Sequence, residues 1–440
     1  MAETDIAVIG AGLTGRGLAG LAAALGLKVT LFERGPMGGE APDPETTQAA
    51  LRAMANRAAC AGGPPGWADV RTRLAEADAE AAPDATEARF QGMGVEVVRA
   101  AARFAAPDAV AAGGREWRFR RALIATGAVP AVPALEGLET IPYLDEAGLA
   151  ALDALPSHLL VLGGTAFGLE MAQAFARLGA RVTVVEAARI APGADPDLAH
   201  GLARVLRRDG VGLLEGQAAL RVQRRPGGLA LFLSDGQQVE GSHLLLAPGR
   251  QPQLAGLDLA AAGLSAVPVV DRALRVQGNR RVWAAGGAVG REGAADLGIL
   301  ARTMLFRIPG TPAEAAPLRS IRTEPALVEI GAPGDADETL RWPLADTTRA
   351  AADGISEGLV KLHVDRRGRL SGAGLLAPGG LEMAGMLSLA LRRPVSELAG
   401  ATLPHPTLSA AIARAALEHR APALGSATLR WLAGIAKRLP

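Results

Sequence analysis

A glycine triplet set between a short apolar run and an alanine-rich stretch leaves a chain few ways to fold, and here the arrangement occurs twice. Residues 5–33 read DIAVIGAGLTGRGLAGLAAALGLKVTLFE. The apolar run at 6–9 predicts a buried parallel strand. Gly10, Gly12 and Gly15 stand in G-x-G-x-x-G spacing, with Leu13 and Thr14 between the last two, and an alanine-rich helix and a second strand, KVTLF, follow. Gly10 makes the tight turn, Gly12 lets the backbone approach a pyrophosphate, and Gly15 lets helix and strand pack closely. The helix N-terminus points free N–H groups at the phosphates. Glu33, with Arg34 behind it, ends the second strand about 20 residues on, where a carboxylate can accept hydrogen bonds from a ribose diol. Strand, helix, second strand and acid are all in place, which makes this a dinucleotide site. The alternative is a βαβ unit that keeps only the fold.

The pattern returns at 159–186, LLVLGGTAFGLEMAQAFARLGARVTVVE, with Gly163, Gly164, Gly168, Glu170 and a terminal Glu186. Thr165 occupies the middle glycine position, where a side chain presses on a pyrophosphate, so an intact and an impaired second site both stay open. If a nicotinamide dinucleotide binds here, Glu186 favours NAD(H), because a carboxylate repels a 2′-phosphate and no arginine directly follows it. Two such units in one chain suggest two dinucleotides, and flavin reduced by nicotinamide is the usual pairing. Three further strands end in glycine turns: RRALIATGAVPAVP (120–133) with Ala125, Thr126 and Gly127, LLLAPGRQP (244–252) with Gly249 and Arg250, and RRVWAAGGAVG (280–290) with Gly286 and Gly287.

Composition narrows the partners. The 440 residues suffice for two to four domains, and Phe, Trp and Tyr reach only 3%, which favours thin helices and close backbone approach over an aromatic core. A net charge of +1 provides no global field for nucleic acid or acidic lipid. Cys60 is the single cysteine, which excludes an intrachain disulfide and fits a reducing cytoplasm. The early run LAGLAAALGL is too short to span a bilayer, and no secretory signal is expected. No metal site is expected.

In this order the segments resemble the FAD-dependent pyridine nucleotide–disulfide oxidoreductases, most of all their dihydrolipoamide dehydrogenase and mercuric reductase branch. GAGLTG with Glu33 corresponds to the FAD site, ATG to the crossing between domains, GGTAFGLE with Glu186 to the NAD(P) site, and APGR to the closing strand of that domain. TEPALVEIG, GLVKLHVDRRGRLSGAGLLAP and LPHPTLS resemble the C-terminal interface domain. The resemblance implies an α/β fold with two Rossmann-like dinucleotide-binding domains, for FAD and NAD(P), and a C-terminal α+β dimerisation domain. The boundaries expected are 1–145 with 268–315 for FAD, 146–267 for NAD(P) and 316–425 for the interface of a homodimer. Residues 426–440 form an amphipathic helix. Leu429, Leu432, Ile435 and Leu439 share one face of it, suited to a membrane surface but more commonly docked on the protein itself.

Departures from the family matter as much. After the paired glycines Gly38 and Gly39 the family carries two cysteines and a lysine on a helix, which pass electrons from flavin to substrate. Here EAPDPETTQAALRA follows, with neither residue type. The family aspartate that binds the flavin ribityl chain is Gly287, after Gly286. The next segment, REGAADLGI, looks shortened and lacks the family's histidine–alanine contact to the flavin. Glu170 matches a glutamate that pairs with the missing lysine. His405 matches the base supplied across the dimer, but its orienting glutamate is Ala410, which leaves a poorer base or a plain interface residue. Cys60, among alanines, is expected to be a small buried hydrophobe rather than a nucleophile. Two readings lead, ahead of a thiol enzyme that uses Cys60. One is a flavoenzyme that passes hydride from NADH through FAD to a small acceptor such as a quinone or oxygen. The other is a dimeric scaffold or regulator without turnover, with or without structural FAD.

Overall fold

The computed structural model describes residues 2–37, 44–81, 86–291, 295–308, 317–335, 337–419 and 427–437. The chain divides into two compact units. One contains Met1–Gly163, Arg177–Ala180 and Ala219–Ala315, and the other contains Gly164–Ala176, Arg181–Ala218 and Ala316–Pro440.

The first unit is built on a seven-stranded sheet. The strand Ala2–Ile9 lies between two parallel neighbours, Val29–Phe32 and Arg115–Ile124, with Ile6 opposite both Val29 and Arg121. Val282–Ala284 runs parallel to the far side of Arg115–Ile124, and an antiparallel pair, Ala109–Ala112 and Ala102–Ala106, extends the sheet beyond that strand's N-terminal half. Side chains alternate between faces along a strand. Ile6 and Val8 therefore join Leu18, Ala19 and Leu31 on one face, while Ala7 and Ile9 join Phe32, Phe104, Trp117 and Phe119 on the other. Burial on both faces explains the unbroken apolar run of the first strand. The helix Leu13–Ala24 buries Gly15, Leu18, Ala19 and Ala22, small residues that let it lie close to the sheet. AGGPPGW forms the break between the helices Pro44–Ala61 and Trp67–Ala81.

In the second unit, Arg181–Glu186 pairs in parallel with Val211–Glu215. A five-stranded sheet follows in the order 318–321, 326–331, 370–377, 359–364, 338–343, with antiparallel neighbours throughout. Its core joins Val360, Leu362 and Leu375 to Leu387, Ile412 and Ala415 from the following helices. Each fully buried aliphatic side chain contributes about 1.5–3 kcal/mol. At the C-terminus, Ala427–Ala436 is helical with Trp431 and Ile435 exposed. The side chains of Leu429 and Leu432, and Leu439 as a whole, lie outside the described residues.

Candidate active site

The first fingerprint closes as its glycines require. Gly10 has φ +103°, and a Cβ there would lie 2.3 Å from the Ala125 carbonyl oxygen. A Cβ on Gly15 would lie 2.0 Å from the carbonyl oxygen of Gly10. These two positions are closed to side chains by the protein itself. Gly12 differs: nothing lies within 4 Å of a Cβ built on it. It is the N-cap of the helix and provides no side-chain cap, so the first-turn N–H groups face outward from beside Leu13 and Thr14. Glu33 is fixed by two backbone donors, Ala11 N–H to Oε2 and Gly35 N–H to Oε1, both at 2.7 Å. Each carboxylate oxygen retains a second lone-pair direction for a diol.

The glycine turns from distant strands meet at this edge. Ala125 N–H donates to the Ile9 carbonyl at 2.8 Å. Thr126 Oγ1 is buried with no partner among the described residues. Gly286, at φ +62°, faces Thr14, whose Oγ1 would be 3.4 Å from an added Cβ. At Gly287 a Cβ would meet Ala128 N at 2.8 Å and the Gly127 carbonyl carbon at 3.0 Å. The missing ribityl aspartate is therefore no simple deletion, because the crossing peptide occupies the space its stem would need. Gly38 and Gly39 lie outside the described residues.

Two participants escape a motif search. Asp296 has a fully buried side chain. Its Oδ2 accepts the Gly286 N–H at 2.9 Å, and its Oδ1 accepts from Arg291 Nε at 3.0 Å. The signal in the sequence is a carboxylate within the apolar stretch AADLGIL, which needs a partner once buried. Gln253 places its side-chain amide between the Thr126 carbonyl, to which it donates at 3.0 Å, and the Arg34 guanidinium, from which it accepts. Nothing in its sequence neighbourhood announces this. Arg250 pairs with Glu146 and donates to the Ala128 carbonyl at 2.6 Å, beside Gly249, whose φ is +113°. Its guanidinium thus fastens the crossing strand.

The second fingerprint repeats the latch. Gly163 has φ +115°, and a Cβ there would be 2.2 Å from the Ala247 carbonyl oxygen. Glu186 accepts the N–H of Gly164 at 2.7 Å and of Ala188 at 2.9 Å. At the middle position the plan changes. Thr165 Oγ1 accepts from Gly168 N–H at 3.4 Å, the N-cap to N3 contact of a capped helix. Within the helix Ala166–Arg177, Glu170 is buried and accepts the Arg322 N–H at 2.8 Å. Gln173 clasps the same segment through both the N–H and carbonyl of Glu324, at 2.8 and 2.9 Å.

His405 is exposed, and no side chain among the described residues hydrogen-bonds to its ring. Cys60 corrects the expectation of burial: it is exposed, near the end of the helix Pro44–Ala61, where the helix turns its flank to solvent.

The residues present suit a bound FAD. An uncovered Gly12, an uncapped helix N-terminus, a two-sided carboxylate at Glu33 and an orphaned Thr126 hydroxyl are each what the pyrophosphate, ribose and adjoining chain of that cofactor would satisfy.

Comparison with known proteins agrees. The family model for pyridine nucleotide-disulphide oxidoreductases matches residues 4–304. A mercuric reductase of Streptomyces lividans is 34% identical, over 67% of this chain and 66% of its own length. Dihydrolipoyl dehydrogenase 3 of Pseudomonas aeruginosa is 30% identical, over 95% of this chain and 98% of its own. Among solved structures, the HOCl-induced flavoprotein disulfide reductase RclA of Escherichia coli superposes with a TM-score of 0.81 at 26% identity, covering 93% of this chain and 98% of that one. Among the described residues no helix is long and apolar enough to cross a membrane. The family's cofactors are FAD and a nicotinamide dinucleotide, and its fold is the one described above. On sequence and architecture together, the chain belongs to the pyridine nucleotide-disulphide oxidoreductase family.

Proposed function

We propose that this flavin-dependent oxidoreductase works without a redox disulfide and passes hydride from NADH by way of FAD directly to a small acceptor such as a quinone or oxygen. The observation that carries the reading is the pairing of an open first fingerprint with a single, solvent-exposed cysteine. When bound, FAD supplies the hydride-accepting and hydride-donating ring, so the protein needs only to hold two rings in contact. Backbone groups of Gly10, Gly12, Leu13, Thr14 and Gly15 take the pyrophosphate, Glu33 the ribose, and Ala125, Thr126, Gly127 and Gly286 the remainder of the cofactor. Gly163, Gly164, Gly168 and Glu186 hold NADH, with Thr165 limiting its approach. A small acceptor accords with an NAD(P)H dehydrogenase (quinone) of Mycobacterium tuberculosis, 31% identical over 67% of this chain and 64% of its own length. Residues 316–425 form the homodimer interface in this reading.

The Thr165 cap and the closed backbone at Gly287 favour a second reading, a dimeric scaffold that carries flavin without turning it over. Anaerobic addition of NADH to the purified protein separates the two. Bleaching of the flavin absorbance supports the enzyme, and a yellow protein indifferent to NADH supports the scaffold. A colourless preparation that cannot be loaded with FAD refutes both flavin assignments. Gly12→Val should abolish flavin retention.

A further inference from the structure

Among residues that belong to neither fingerprint, three arginines from two turns converge on one cavity of about 400 Å³, lined by Asp271, Arg272, Ala273, Arg275, Thr303, Arg307 and Ile308. The turns are fastened together by Thr303, whose buried hydroxyl lies 2.9 Å from the Ala273 carbonyl and 2.8 Å from that of Ile299. The second turn is a π-helical segment, Ala301–Leu305, a wide geometry found mostly at functional positions. It is followed by Arg307 at φ +58°, a left-handed backbone that a non-glycine residue holds only against strain. Arg121 donates to the carbonyls of Met304 and Leu305 and pins the segment from the sheet side.

Among the described residues, the cavity carries an excess of positive charge, three guanidinium groups against one carboxylate. Among the described residues, Arg272, Arg275 and Arg307 make no ion pair. Arg275 stacks over Trp283 at 5.3 Å, and its buried Nε has no partner. Asp271, the one carboxylate of the lining, is engaged through Oδ1 by the N–H groups of Ala273 and Arg275, at 2.8 and 2.9 Å. Burial and then the neighbouring charges of Arg307 and Arg120 hold the Arg121 guanidinium below its usual range. Like charges are thus gathered at a cost in a chain whose net charge is +1.

We infer that this cavity is a binding site for a phosphate-bearing ligand. Planar guanidinium forks match phosphate oxygens bidentately. Three guanidinium groups against the one carboxylate of the lining leave a net charge of about +2, the complement of a phosphate dianion. Exposed Phe306 and Ile308 flank the site, so the phosphates can belong either to a free ligand or to lipid headgroups at a membrane surface.

The FAD-loaded protein decides the matter, with inorganic pyrophosphate titrated calorimetrically into it and into an Arg272→Ala/Arg307→Ala variant. The expected result is saturable binding that weakens with salt and falls about tenfold or more in the variant, with flavin content unchanged. The Arg272→Lys/Arg307→Lys protein should bind with intermediate affinity, and it decides the question if the alanine protein folds poorly. Sedimentation with phosphatidylcholine vesicles, with and without phosphatidylglycerol, forms the second arm. Binding to the acidic vesicles alone, lost in the variant, identifies headgroups as the source. Absence of both pyrophosphate and vesicle binding, or binding that the arginine variants leave unchanged, overturns the inference.

Discussion

Replacing Thr165 by glycine should tighten NADH binding. The Thr165 hydroxyl already accepts the N–H of Gly168, one of the donors that a pyrophosphate would otherwise take. At 3.4 Å this is a weak cap, so displacing it costs at the low end of the usual range, about 0.5–1 kcal/mol. Releasing it corresponds to about a two- to fivefold lower Kd, with a further gain if the β-branched side chain also obstructs the phosphates. Thr165→Val separates the contributions, because it removes the hydroxyl and keeps the bulk. If competition for the N–H dominates, glycine and valine both tighten binding; if bulk dominates, only glycine does. Titration of NADH fluorescence, together with anaerobic flavin reduction rates, measures the effect. A Thr165→Gly protein with unchanged or weaker NADH binding would refute the reasoning and move the obstruction elsewhere in the chain.

Asp296→Asn should lower the urea midpoint by the equivalent of about 1–3 kcal/mol, because an amide placed between two donors can satisfy only one of them. The lower end is expected, since the Arg291 side chain is 32% exposed; flavin retention should fall with it, and an unchanged midpoint would dismiss the carboxylate as a brace of the Gly286 turn. Glu33→Gln leaves one oxygen for the two N–H groups of Ala11 and Gly35 and should reduce the FAD bound per chain, measured from the absorbance ratio after gel filtration. Burial holds the imidazoles of His243 and His363 below their ordinary range. As pH falls below about 6.5 the unfolded chain takes up these protons first. Thermal stability should therefore drop between roughly pH 7.5 and 5.5, less steeply in His363→Gln, and a flat profile would contradict this.

The parts of the site that the sequence reveals are those whose determinants lie within one βαβ unit. Gly15 and Glu33 act on neighbours that the fingerprint itself supplies, Gly10 is legible from its place in the spacing although the carbonyl that closes it belongs to Ala125, and even the engagement of Thr165 follows from helix-capping preference. Asp296 shows in the sequence only as a charge within an apolar stretch, which does not name Gly286 and Arg291 as its partners. Gln253 was not legible, because its partners, Thr126 and Arg34, are chosen by how loops from separate strands meet. The arginine cavity is hidden for the same reason: its residues come from the turns at 271–275 and 301–308, and no window of the sequence shows the charge they pool. The exposure of Cys60 is hidden because alanine neighbours report the composition of a helix, not which flank of it meets solvent.

The two fingerprints also test each other, because they share one scaffold and, of the three glycine positions, differ at one. In both, the first glycine is forced by a carbonyl that leaves no room for a side chain, and in both the terminal glutamate clasps two backbone N–H groups. The fold therefore accounts for these residues with or without a ligand. The middle position is free of that constraint. Around Gly12 there is open space, and a side-chain hydroxyl there can cap the helix, serine better than glycine and threonine about as well. The second unit has taken that option with Thr165; the first has not. A glycine where the protein has no structural use for one points to a demand from outside the chain, and the pyrophosphate of FAD is such a demand. Gly12→Ser should accordingly raise the stability of flavin-free protein by a few tenths of a kcal/mol while weakening FAD. If the substitution stabilised the protein and left flavin affinity intact, the contrast between the two fingerprints would carry no functional meaning.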